Sequence, residues 1–361
     1  MSSAESKSET ILKIAVCLAA IGSLVGCNGG SSMSGGGGGG GTTTPTAAKS
    51  IYVIQNSLTF PITPGSILQF STAASGSISP ENIITPPATS DDFQGLATDA
   101  DGNVYVSTRT QTVATLLEYA PGASGSATPI STIPSNSTTE LYAPDGIAIS
   151  PTGQIIVGED SGAIVTYSAN ANGDAAPEYF IVGPFQINNP LSPVFAAQDV
   201  AVGASGKLYV FNWNESFNTI APIDIFAAGA TGNVAPVATI GGALTGLTAG
   251  NIGGIATDSS GNVYISTSSV NGGIIKVFAP TATGNVAPIR TISGSDTQLG
   301  TLGGIQLDAV GNIYVVSTTD TGENPTVLRF AASASGNVAP TLSITSSVWT
   351  YPDDYFSLAV H

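Results

Sequence analysis

The sequence predicts an all-β fold: a six-bladed β-propeller, four antiparallel strands per blade, its ring closed by the C-terminal strand joining the N-terminal blade. Three observations predict it. The pentapeptide GNVAP begins at Gly232, Gly284 and Gly336, so copies start 52 residues apart (284 − 232 and 336 − 284). A second signature keeps step with it, from Gly95 (GLATDADGNVYV), Gly146 (GIAISPTGQIIV), Asp199 (DVAVGASGKLYV), Gly254 (GIATDSSGNVYI) and Gly304 (GIQLDAVGNIYV). The C-terminus, DDYFSLAVH from Asp353, repeats DDFQGLATD from Asp91 and then stops where GNVYV should follow. A period of about 50 residues built from short alternating strands is the mark of repeated blades.

The chain begins outside this repeat. Lys7 and Lys13 precede an apolar run, Ile14 to Val25, which is too short to span a bilayer and suits the core of a signal peptide. It ends in LVGC, residues 24–27. This resembles the lipobox of bacterial lipoproteins. The resemblance implies cleavage after residue 26 and diacylation of Cys27, with several acyl chains holding the protein on the membrane. Asn28 follows, which by the same resemblance favours the outer membrane over inner-membrane retention. Residues 27–48 then read as the lipidated cysteine and a flexible Gly/Ser/Thr linker, since nothing there can pack a core.

Residues 49–361 form the repeat domain. SIYVIQN from Ser50 supplies the strand that the C-terminus lacks, so the last residues provide the innermost strand of a blade whose other strands are N-terminal. Such sharing leaves no open sheet edge between the chain ends. Weaker pentapeptide copies at Gly76, Gly125 and Gly173 bring the blade count to six. DADGN, DSSGN and DAVGN read as turns between the first two strands of a blade, with Asp or Asn at the first position and Gly at positive φ. DADGN also begins like a calcium loop, but no full ligand set follows. GNVAP reads as the turn into the outermost strand, with no chemistry of its own.

Composition narrows the function. The net charge of −16 opposes a nucleic-acid partner, whose phosphates need a basic footprint. Cys17 leaves with the signal and Cys27 is acylated, so the domain has no thiol chemistry, and a monomeric domain without disulfides is expected. The single histidine, His361, ends the closing strand, so neither a serine–histidine pair nor a histidine zinc site is supplied.

The repeated tight turns fall on one face of the propeller and the irregular loops on the other. The loop face collects Trp213, Trp349, Tyr351, Phe217 and Tyr142, a candidate ligand-binding set for an envelope protein, glycan or small ligand. The alternative is that these aromatics only cap blade ends. Acids gather on the same face near the innermost strands. Asp92, Asp145, Asp199 and Asp354 are the candidate ligands for Ca²⁺ or another divalent cation, or else solvated loop ends.

The rhythm GIAxD, GN(I/V)YV and (I/V)xxF resembles the NHL-repeat and SMP-30-like six-bladed propellers across the whole domain. That resemblance implies the architecture. It also brings in metal-dependent lactonases, whose channel metal is held by a Glu with Asn and Asp ligands; here no Glu begins an innermost strand. The sequence therefore predicts an envelope-anchored, non-catalytic binding or scaffold module, with a metal-dependent hydrolase of lactonase type as the alternative.

Overall fold

The computed structural model describes residues 49–56, 65–73, 75–87, 92–110, 113–182, 196–213, 223–247, 252–318, 325–349 and 357–361, and within these the side chains of Asp92, Ala196 and Trp213 are set aside. Blade I holds β1 (Ser50–Gln55), β2 (Ser66–Ser71) and β4 (Asn82–Ile84), with the short β3 (Gly76–Ser77) between them. Blade II runs β5 (Asp92–Thr98), β6 (Val104–Arg109), β7 (Ala114–Tyr119) and β8 (Ser131–Pro134). Blade III runs β9 (Pro144–Ile149), β10 (Ile155–Glu159), β11 (Ile164–Tyr167) and β12 (Tyr179–Ile181). Blade IV runs β13 (Ala196–Val202), β14 (Leu208–Trp213), β15 (Ile223–Phe226) and β16 (Ala238–Ile240). Blade V runs β17 (Ile252–Thr257), β18 (Val263–Ser269), β19 (Gly272–Phe278) and β20 (Arg290–Ile292). Blade VI runs β21 (Thr301–Leu307), β22 (Ile313–Thr318), β23 (Thr326–Phe330) and β24 (Leu342–Thr345), and β25 (Leu358–Val360) ends the chain.

The closure expected from the split repeat is present. β25 pairs antiparallel with β1 in the register Ile51↔Val360, Tyr52↔Ala359 and Val53↔Leu358. His361 extends the ladder, its carbonyl accepting the amides of Lys49 and Ser50 at 2.7 and 2.8 Å. β25 thus becomes the innermost strand of blade I, packed between β21 and β5, and the inner strands run unbroken around the ring.

The tight turns explain themselves chemically. Asp99 Oδ1 accepts the amides of Asp101 and Asn103, and its Oδ2 takes the Asn103 side-chain amide and the Tyr105 hydroxyl. Asp258 and Asp308 repeat this pattern with Asn262 and Tyr264, and with Asn312 and Tyr314. The carboxylates of these loops are consumed by their own turns, as Asx chemistry requires.

The hydrophobic core is divided into six layers, one between each pair of successive blades, and the repeat supplies each layer in the same way. The aromatic that ends the third strand of a blade (Phe70, Tyr119, Tyr167, Phe226, Phe278, Phe330) is buried against the preceding blade. The tyrosine of the second strand (Tyr52, Tyr105, Tyr209, Tyr264, Tyr314) is buried against the following one. Each such ring contributes about 1.5–3 kcal/mol by leaving water.

The pentapeptide does more than the sequence reading gave it. Its glycine bridges, in parallel, the outermost strand of the preceding blade: Gly125 to Ile84, Gly232 to Ile181, Gly284 to Ile240, Gly336 to Ile292, and Gly76 to Ile344 across the closure. Gly173 donates to the Thr132 carbonyl in the remaining copy. All six glycines have φ between +61° and +94°, which admits glycine and strains other residues. The third position (Ile78, Ala127, Ala175, Val234, Val286, Val338) packs into the layer between the two blades. Asn285 and Asn337 then accept the amides of Leu244 and Asp296 in short 3-10 turns of the preceding blade, both within 2.8 Å. The motif is a clasp between blades, and it covers edges that would otherwise be open.

Candidate functional site

At the loop-face end, the innermost strands of blades II to VI are interrupted. The register slips between Phe93 and Leu96, across Asp145 and Gly146, between Ala197 and Asp199, between Ile252 and Gly254, and between Leu302 and Ile305. Bulges bend a strand and re-aim its side chains. Here they put Gln94, Asp145 and Gln198 at equivalent places on blades II, III and IV, while blades V and VI carry glycine there. The backbones pack closely behind them. A Cβ added at Gly95 would lie 2.2 Å from the Asp145 carbonyl oxygen, and one at Gly253 would lie 2.2 Å from that of Leu302. The Ser107 hydroxyl bridges the same seam, accepting the Gly95 amide at 2.7 Å and donating to the Asp145 carbonyl at 2.8 Å.

Four charged groups meet where blades II and III open onto this face. Arg109, at the end of β6, lies with Nη1 2.8 Å from Asp160 Oδ2 and 3.8 Å from Asp145 Oδ1. Glu159, at the end of β10, is fully buried; its Oε2 accepts the amides of Ala143 at 2.6 Å and Tyr142 at 3.1 Å. Two carboxylates thus share one guanidinium, and Glu159 lies near enough to feel its charge. Burial, then the charge of Asp160, pushes the Asp145 carboxyl up to about 8 despite Arg109. Burial pushes Glu159 up to about 7, against the two backbone amides that favour its anion. Asp145 Oδ1 is buried without a hydrogen-bond partner, so this niche holds an acceptor that its own donors do not satisfy, and Gln94 Oε1 at the equivalent place on blade II is unpartnered too. Chemically it can store a proton near neutral pH or take a donor or cation at its mouth.

Asp199 does not join that niche. It occupies the place where blades II, III, V and VI have Gly95, Gly146, Gly254 and Gly304. Its Oδ1 accepts the Val200 amide and its Oδ2 the Ile255 amide of blade V, each at 2.9 Å. Although it keeps some accessible surface, it lies deep enough for desolvation to push it up to about 7. Ser357 of blade I makes the same inter-blade contact, accepting the Leu96 amide at 3.0 Å. Asp145 and Asp199 are therefore set in different bonding roles. Among the described residues, no group of three or more His, Cys, Asp or Glu is arranged to hold a metal ion. The other expected ligands, the Asp92 side chain and Asp354, lie outside the described residues.

The aromatic set is likewise divided. Tyr142 is 55% exposed, its hydroxyl donating to Glu140 at 3.2 Å beside the charged niche. Trp349 is only 3% exposed and lies tilted against Phe70, ring centroids 6.3 Å apart, in the layer that closes the ring. It fills the place that Leu141, Leu247 and Leu299 fill in other loops, so it is a core plug rather than a surface ligand group. Cys27, Phe217, Tyr351 and the Trp213 side chain lie outside the described residues.

Sequence reasoning missed Glu159 and Asp160. The signal was available in the repeat: the column of Glu159 otherwise holds Gln55, Thr108, Asn212, Thr267 and Ser317, all uncharged. Among the described residues no helix is long and apolar enough to cross a membrane.

No family model and no curated protein matches the sequence. Solved structures similar to the chain include the WD40 β-propeller domain of Doa1, at 13% identity and TM-score 0.47, covering 84% of this chain and 87% of that one. The PQQ-bound aldose sugar dehydrogenase of Streptomyces coelicolor is similar at 17% identity and TM-score 0.42, covering 70% and 80%. The calcium-binding protein regucalcin of Agrobacterium tumefaciens is similar at 14% identity and TM-score 0.38, covering 68% and 74%. Likeness at these identities concerns the propeller fold and not its activity.

Proposed function

We propose that the protein is a lipoprotein of the cell envelope, tethered through Cys27, whose propeller is a non-catalytic binding or scaffold module working through its loop face. The observation that carries this reading is the division of labour between the faces. On the turn face the repeated residues are engaged in their own turns, where Asp99, Asp258 and Asp308 hold the backbone. The loop face carries the irregular segments, the exposed Tyr142 and a charged niche with an unsatisfied acceptor on Asp145. Rigid scaffolds present recognition groups on such loops.

Two measurements test the reading. Replacing Cys27 with Ser should move the protein from the membrane to the soluble fraction; retention in the membrane would overturn the anchor. A panel of lactones with added calcium, zinc or manganese should show no turnover above buffer. Turnover that EDTA abolishes would overturn the non-catalytic reading.

A further inference from the structure

The rim of the turn face has a cavity of about 320 Å³ between blades III and IV, lined by Ser150, Thr152, Ile156 and Thr166 on one side and by Val202 and Leu208, among others, on the other. Its origin lies in the repeat. In blades I, II, IV, V and VI the second strand places a tyrosine in the layer towards the next blade: Tyr52, Tyr105, Tyr209, Tyr264 and Tyr314, each at most 4% exposed. Blade III has Ile156 at that position, and Ile156 faces the layer shared with blade IV. In three of the other blades the phenol hydroxyl lies 3.1–3.2 Å from the turn aspartate. Blade III replaces that aspartate with Ser150, whose Oγ still accepts the Gln154 amide at 3.0 Å and lies 2.9 Å from the Thr152 hydroxyl.

Both halves of the tyrosine–aspartate pair are thus changed in the same blade, and the cavity opens there. An isoleucine cannot fill the volume of a phenol ring, and a void between close-packed blades forfeits dispersion contacts. What remains is a slot walled by Ile156, Val202 and Leu208 and lined as well by the hydroxyl residues Ser150 and Thr152, the complement of a phenol. We propose that this inter-blade cavity binds a small phenolic compound, whose ring takes the place that a tyrosine takes in the other five blades and whose hydroxyl meets the Ser150–Thr152 pair. The site lies on the face opposite the proposed recognition loops and stands independently of that reading.

The test uses 4-fluorophenol with the purified full chain, followed by ¹⁹F NMR line shape. The wild-type chain should give saturable broadening, competed by 4-methylphenol and not by cyclohexanol. Ile156→Tyr restores the ring in cis and should weaken binding at least tenfold. Ala204→Trp, at an exposed position on the rim of the cavity, should do the same and serves if Ile156→Tyr does not fold. Absence of saturable broadening in the wild type, equal competition by cyclohexanol, or unchanged binding in the variants that fold would overturn the proposal.

Discussion

Asp199 Oδ2 accepts the backbone N–H of Ile255 at 2.9 Å, so a carboxylate from the innermost strand of blade IV is bonded to blade V. Glycine holds the corresponding place in four of the other blades. Desolvation raises this carboxyl from the ordinary 3.8 to about 7. A group whose folded pKa is raised leaves stability intact below its unfolded value, and stability falls as the pH rises through the folded value. Asp199→Asn should therefore flatten the pH dependence of urea stability between about pH 4 and 7. A uniform loss at every pH would show that the carboxylate acts only through its bonds.

Arg109 is the cation nearest to Asp145, and the same sign applies there. Asp145 and Glu159 are raised to about 8 and 7, so each costs about 1.4 kcal/mol per pH unit between its ordinary and raised values. Asp145→Asn should be more stable than wild type at pH 9 and nearly equal to it at pH 4. Arg109→Met should destabilise more at pH 9 than at pH 5, because the carboxylates then ionise without their counter-charge. Chemical denaturation at these pH values measures both.

The clasp makes a local prediction. Gly336 has φ +70° and open space around an added Cβ, so Gly336→Ala meets conformational strain and no clash. The expected loss is about 1–2 kcal/mol. Asn337→Ala removes the acceptor for the Asp296 amide and should cost about 1 kcal/mol. Amide hydrogen exchange should rise at Ser293, whose N–H bonds to the Gly336 carbonyl, before it rises in the inner strands.

Trp349 predicts a contrast between two substitutions. Trp349→Ala empties the layer that joins blades VI and I and should cost about 3–5 kcal/mol in urea denaturation. Trp349→Leu installs the residue type of the other loops and should cost less than half as much. Equal losses would mean that the indole makes a specific contact beyond its volume.

The architecture was legible because the blades repeat the same local rules: alternating strands, a glycine at positive φ before the outer strand, and, in blades II, V and VI, an Asp–Gly–Asn turn. The split of blade I was legible because the DDYFSLAV segment matched DDFQGLAT and then ended. The clasp was not, since GNVAP bonds to a strand 44–51 residues away (232 − 181, 284 − 240 and 336 − 292) and its own turn chemistry already explained its composition. Trp349 falls under the alternative that the sequence left open, a cap at a blade end: aligned with TEL, TGL and TQL, which end in Leu141, Leu247 and Leu299, it takes their column, an alignment that the irregularity of its loop hides. Glu159 was missed because burial of an acid is decided by the neighbouring blade, through the Tyr142 and Ala143 amides and Arg109, and not by its own strand.

The proposed function requires that the loop face, and not the turn face, meets the partner. A photo-crosslinking amino acid placed at Tyr142 on the loop face, or at Val237 on the turn face, tests it in intact cells, since the two sites are 55% and 60% exposed and so equally available. A discrete adduct from position 142 and none from position 237 is the predicted result. An adduct from position 237 alone would contradict the proposal and move the working surface to the turn face.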